Sequence, residues 1–384
     1  MHSYNRLVIG PLLIFDKSLL HLLSAEEFSE LSSHFRIVVA PVLIKEIIAD
    51  LTSKRKDRIP ENTVAMLARK MMRAHGGEPV HWQHLAAGNL LGQQVPMFGS
   101  VPVGGRPNVF RTKDGRGLVY DMKPEQEIWQ RWAAGNFNVA DLEIAREWRD
   151  DLKQLDLQDV HRRWQAFSRE RFPHARSVHD LVCEVDKIMS TYDLSLQKRL
   201  LLEMMELLGV KEDAQRAVMR RWIVSKLPLL RDFAPYAAYV LRLYLVFAFG
   251  ISTGLVSTRA SNAIDLEYLF YVPFCMVFSS ADNFHQDMWA ASAGRNSFVH
   301  AADLKEDLRC RCEQLKQAVP AGSMADSVID RLWTTYMRTP PPKKQIAAAD
   351  SGEKLHVTID DLEPEIRDDL KSIFKELDEH DTPT

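Results

Sequence analysis

The stretch Asn262–Asp282 places the tightest constraint on the fold. Asp265 opens a short apolar helix that Pro273 stops, an apolar strand runs from Phe274 to Phe278, and a small polar turn delivers a second acid, Asp282. Proline ends a helix because it lacks an N–H donor and its ring crowds the preceding turn. Carboxylates at both ends of a buried unit are costly unless they are hydrogen-bonded, paired or metal-bound. The chain must therefore supply partners for these acids from elsewhere.

The N-terminal fifty residues offer the matching half. Leu7 to Phe15 is an apolar run of strand length, broken at Gly10-Pro11 and ended by Asp16. A short helix follows from Ser18 to Leu23, and Ser24 with Glu26 and Glu27 caps a second one that ends at His34. Ile37 to Ala40 reads as a second buried strand. Pro41 takes the first position of a helix running to Leu51, with Leu43, Ile47 and Ile48 on one face and Glu46 about one turn in. The order β-α-β-α predicts an α/β fold with a parallel sheet.

The pattern then changes. Lys54–Arg58 is a charged connector, and Glu61 to His75 reads as a helix. His81 to Asp121 is rich in Gly, Pro, Gln and Val and reads as loop with short strands, Lys113–Gly117 forming a hairpin turn. Helical spacing fills 124–135, 138–171, 177–190, 194–208, 211–226 and 232–249. After Asp282, helices are predicted over 283–318 and 322–338, then a stiff Pro340–Lys344 linker and an acidic amphipathic helix from Asp360 to Leu377. The resulting division is 1–52 and 251–338 for the sheet-bearing part, 53–250 for a mainly helical insertion, and 339–384 for the linker and tail.

Composition narrows the function classes. Hydrophobic residues make up 46% and charged residues 26%, the balance of a water-soluble globular chain, and the net charge of −3 advertises no global affinity for nucleic acid. Four cysteines without a staple pattern suit a reducing cytoplasm. No cleavage site follows the N-terminal apolar run, so it is not read as a signal peptide. The 233–256 run has bilayer-spanning length, yet it carries Arg242 and a Gly/Ser/Thr interruption, and it reads as a buried core helix rather than a membrane span.

Four acids occupy related places: Asp16 after the first strand, Glu46 on the helix after the second, Asp265 on the helix before the last strand, and Asp282 after that strand. Ligands of open parallel sheets gather at the carboxyl ends of the strands. Carboxylates facing one another there repel unless a cation neutralises them, and hard oxygen donors suit Mg²⁺ or Mn²⁺. The segments Leu13-Ile14-Phe15-Asp16, Val39–Ile47 with Glu46, and Asp265 with Ser280-Ala281-Asp282 resemble the motifs of the PIN-domain nucleases, the fold of the VapC toxins and of several RNA-processing endonucleases.

That resemblance covers about a quarter of the chain, roughly 1–50 and 255–300. It implies a PIN-like sheet assembled from both ends of the chain and metal-dependent cleavage of single-stranded RNA, with DNA as a possible substrate. Asp16, Glu46, Asp265 and Asp282 would be the catalytic and metal-binding residues. Ser280 matches the small-hydroxyl position beside the last acid, and Asn262 competes with Asp265 for the third acid's place. The departure from the family is the long helical insertion, which would select substrate or dock a protein partner, as would the tail; self-association is open. The capping alternative is that Asp16 and Asp282 merely cap helices. The alternative function is a PIN-fold scaffold that no longer cleaves; a weaker one is a helical DNA-handling protein.

Other motifs weigh less. Arg295 and His300 match the Arg-x4-His spacing of HEPN ribonucleases, a spacing expected about once by chance in such a chain. His81 and His84 have metal-ligand spacing but no matching pair nearby, and Cys310 with Cys312 lacks a second pair. Lys54–Arg58 reads as a solvated connector. Arg162-Arg163-Trp164 and Arg220-Arg221-Trp222 mix cations with an aromatic, as stacking surfaces for RNA do, but read more plainly as helix surface around a core tryptophan. Tyr268, Phe270 and Tyr271 read as core.

Overall fold

The computed structural model describes residues 10–53, 59–72, 74, 79–97, 108–112, 115–119, 124–172, 174–292, 294, 296–317 and 327–338, with backbone alone for 108–112, 115–119, 124–126 and 169. The Lys54–Arg58 connector, the Lys113-Asp114 turn, Arg295, the proline linker and the Asp360–Leu377 helix lie outside these residues. The described residues all fall within one compact unit, Met1–Pro341.

The fold is mixed α/β and mostly helical. Its strands are β1 (Leu12–Phe15), β2 (Arg36–Ile37), β3 (Asn108–Thr112), β4 (Gly115–Val119), β5 (Val277–Ser280) and β6 (Ser297–His300). β3 and β4 form an antiparallel hairpin; the other four make a parallel sheet in the order β2-β1-β5-β6. In register, Leu13 lies beside Ile37 on one side and Val277 on the other. β1 and β5 are buried at every position; β1 is apolar throughout, whereas β5 ends on two buried serines, Ser279 and Ser280.

Chain direction across the sheet sets the site. From β1 the chain crosses to β2, and from β5 it crosses the other way to β6. The order therefore reverses between β1 and β5, and the carboxyl ends of these two neighbours flank a topological switch point, where ligands of open α/β sheets bind.

The helices follow local signals. Ser24 makes a full capping box with Glu27, and Pro41 begins the Pro41–Ala49 helix. The Pro235–Thr253 helix ends on Gly254 at φ 79°, the left-handed cap that glycine adopts without a Cβ clash. It is long and apolar enough to cross a membrane, yet 78% of its apolar window is buried inside the protein. Arg242, near its middle, is held by both oxygens of Asp186 and by the Ala291 carbonyl.

Several expectations shift. The span 283–318, read as one helix, is the Asn283–Ser292 helix, then β6, then the Ala301–Lys316 helix. Phe274–Phe278 is displaced: Val272–Phe274 is a 3₁₀ turn and the strand is Val277–Ser280. His81–Leu91, read as loop, contains the Trp82–Leu90 helix, and 138–171 is two helices broken at Leu155-Asp156. Asp265 does not open its helix; it sits mid-way along Ser261–Leu269. His300 ends β6 and caps the next helix through Nδ1, a strand-end setting rather than an interior helix position. Trp164 and Trp222 are buried, so neither offers a stacking face.

Candidate active site

Asp16 leaves β1 at the switch point and N-caps the Lys17–Leu22 helix, accepting from the Leu19 N–H at 3.2 Å and from Ser18 Oγ at 2.6 Å. Across the gap, Ser280 closes β5. Its hydroxyl donates to the second Asp16 oxygen at 2.7 Å and accepts from the Asp282 N–H at 2.9 Å, although the two side chains stand 264 residues apart in sequence. Asp282 in turn accepts from the Phe284 N–H at 2.8 Å. Both aspartates thus accept from backbone N–H groups a few residues on, as the capping alternative expects, and Ser280 links them by donating to Asp16 and accepting from the Asp282 N–H.

His285 is the residue the sequence did not reveal. It is fully buried, with rings of Phe278, Tyr268 and Phe284 packed around it. Its Nδ1 lies 2.8 Å from Ser280 Oγ and 3.4 Å from Asp16 Oδ2, and its Nε2 lies 2.8 Å from the Asp265 carbonyl. A carbonyl only accepts, so Nε2 carries a proton. The Ser280 hydroxyl spends its one proton on Asp16, so Nδ1 must donate as well. Both ring nitrogens are protonated, and His285 is an imidazolium paired with the Asp16 carboxylate. The electrostatics agree. Burial alone pushes the imidazole down, but the Asp16 hydrogen bond and charge outweigh it and hold His285 above its ordinary value. Burial likewise pushes Asp16 up, and His285, Ser18 and Ser280 together bring it below the usual carboxylate range.

Glu46 and Asp265 lie on two facing helices and are half-buried, as is Asp282. Glu46 accepts a short hydrogen bond from the Tyr268 hydroxyl, and Lys17 donates to its backbone carbonyl at 3.1 Å and to Asp50 at 2.9 Å. Burial raises Glu46, Lys17 and Tyr268 pull it back, and Asp16 and Asp50 raise it further. Burial also lifts Asp265, to about 7; His285 opposes this, while Glu46, Asp282 and Asp16 add to it. Four acids from four separate elements therefore feel one another. Tyr268, read from the sequence as core, is buried and also donates to Glu46; His285 carried no signal in the sequence.

Asn262 and Asp265 have different surroundings. Asn262 is buried and donates to the Ser257 carbonyl and hydroxyl at 3.0 and 2.9 Å, bracing the turn into its helix. Asp265 is the residue in the field of the other acids.

The acids suit a hard divalent cation by donor chemistry and by charge, since His285 and Lys17 do not balance them. Among the described residues, however, no three His, Cys, Asp or Glu side chains are gathered to clasp an ion as they stand. Comparison with protein-family models, curated proteins and solved structures returned no match.

Proposed function

We propose that the chain is a PIN-like, metal-dependent endonuclease acting on RNA, with Asp16, Glu46, Asp265 and Asp282 as its acidic centre. What supports this reading is that Asp16 and Ser280 join across the β1–β5 switch point, while burial with the charges of Glu46, Asp282 and Asp16 lifts Asp265 to about 7. Glu46, Asp265 and Asp282 are half-buried, while Asp16 is buried and held by His285 and Ser280. Mg²⁺ or Mn²⁺, when bound, supplies a Lewis acid that makes bound water nucleophilic and offsets charge on the phosphodiester. The chain's own residues orient the acids: Tyr268 holds Glu46, and His285 ties the Asp265 backbone to Asp16.

A second reading, a PIN-fold interaction module that does not cleave, draws on the want of a gathered ligand triple among the described residues. Cleavage of labelled single-stranded RNA and DNA with Mn²⁺ separates the two. Wild type is expected to cut RNA, and Asp282→Asn and Asp16→Asn to lose at least about a hundredfold, with thermal melts showing that both variants fold. Equal activity in all three proteins, or none in any, refutes the nuclease reading.

A further inference from the structure

Beside the acids lies a half-exposed group of a cation and aromatic rings that the reading above does not use. Lys45 directly precedes Glu46 on the Pro41–Ala49 helix, and its ammonium lies 5.5 Å from the ring centre of half-buried Trp148. Among the described residues the Lys45 ammonium makes no hydrogen bond or close ion pair, and Glu267 is the carboxylate in its field. Trp148 is held in place by its neighbour: Arg149 donates to the Ala49 carbonyl at 3.0 Å and to Thr52 Oγ1 at 2.6 Å, fastening its helix to the end of the Glu46 helix.

A second wall comes from the Trp82–Leu90 helix. His81 caps it, with its ring 6.0 Å from Trp82 and 6.3 Å from His84, which is exposed. This helix is fastened to the one bearing Asp265: Trp82 donates from its backbone to the Tyr271 hydroxyl at 3.0 Å and from Nε1 to Glu267 at 3.2 Å. Lys45 is the shared neighbour, within the field of both Glu267 and His81, and burial with Lys45 and His84 nearby pushes the His81 imidazole down to about 4. His81 is thus an uncharged ring at neutral pH, fit to stack rather than repel a cation.

We propose that Lys45, Trp148, His81 and His84 form a nucleotide subsite beside the acidic centre, Trp148 and the histidine rings taking a base of single-stranded nucleic acid and Lys45 its phosphate. The proposal rests on the nuclease reading for its purpose but not for its test. Aromatic faces accept any base, and a lysine ammonium meets a phosphate as a point charge. The Trp148 helix is fastened to the Glu46 helix and the Trp82–Leu90 helix to the one bearing Asp265, which ties the subsite to the elements that carry the acids.

The test uses the full chain in EDTA, so that binding is read without cleavage, by fluorescence anisotropy with labelled oligouridine, its DNA counterpart and an abasic backbone. Wild type is expected to bind the base-bearing strands. Trp148→Ala weakens them about tenfold and leaves the abasic strand unchanged, with Trp148→Phe restoring binding. Lys45→Ala weakens all strands and lowers the salt slope by about one, with Lys45→Arg as the folded control. His81→Ala with His84→Ala follows the Trp148 pattern. Wild-type binding that none of these variants alters, or no wild-type binding, overturns the subsite. If the variants lose binding yet wild type cuts nothing with Mn²⁺, the nuclease reading fails and the subsite stands. If wild type cuts and the variants keep its KM, the subsite fails alone.

Discussion

Replacing His285 with glutamine tests the buried ion pair at the floor of the site. The substitution removes a cation from a place with no water access and leaves the Asp16 carboxylate buried. Removing one partner of a buried pair costs about 3–5 kcal/mol, because the surviving charge is uncompensated. Asp16 keeps three neutral donors, Ser18 Oγ, Leu19 N–H and Ser280 Oγ, so the lower end, about 3 kcal/mol, is expected. An unfolding entropy of ~2.1 cal/mol/K per residue over roughly 330 residues is about 0.7 kcal/mol per degree, so Tm falls by roughly 4 °C. The pairing itself is measured by a double-mutant cycle with Asp16→Asn. In the double variant neither charge remains, and it should be more stable than the two single losses add up to, by about 1–2 kcal/mol. A His285→Gln protein that melts with wild type, or single losses that simply add, would refute the imidazolium assignment and the reasoning from proton count that produced it.

Two further outcomes follow from packing and charge. A Cβ at Gly10 would lie 2.3 Å from the His34 carbonyl oxygen, which also accepts from Trp333 Nε1 at 3.0 Å, so Gly10→Ala forces backbone apart and should cost about 1–3 kcal/mol in urea unfolding. Asp141 is buried and held by Arg131 and by the Asn138 N–H; burial pushes it up, but these partners bring it below the ordinary carboxylate value. A lowered folded value means the stabilisation is present above the unfolded pKa near ~3.9 and is lost as pH falls through the folded one. Asp141→Asn should therefore be less stable at neutral pH and show a shallower loss of stability on acidification, measured by unfolding across that window.

Local chemistry made part of the fold legible. Leu12–Phe15 is apolar at every position and ends on a capping aspartate, and Ser24, Pro41 and Gly254 mark helix ends that any environment would respect. The placing of Asp16, Glu46, Asp265 and Asp282 at strand ends and on flanking helices followed from these signals. Where the signal weakened, the reading failed. β6 is only half-buried over much of its length and looks like the helices around it; its extended backbone is fixed by pairing Ser297 to Val277 and His300 to Ser280, which no local window contains. The Trp82–Leu90 helix, in a stretch that read as loop, is braced by Tyr271 and Glu267 from far along the chain.

The sequence by itself determined the Leu12–Phe15 strand with its acid and the capped starts of the helices after it, because burial of an apolar run and the capping of a helix depend on neighbours a few residues away. Only the tertiary structure decided what surrounds the acids. Asn262 and Asp265 sit on one helix with equal claims in sequence, yet one braces a turn and the other stands among three carboxylates. His285 is an unremarked histidine until Asp16, Ser280 and the Asp265 carbonyl close around it and leave both its nitrogens no role except donor. Protonation states and electrostatic crowding depend on distances between groups hundreds of residues apart, and those distances exist only once the sheet has formed.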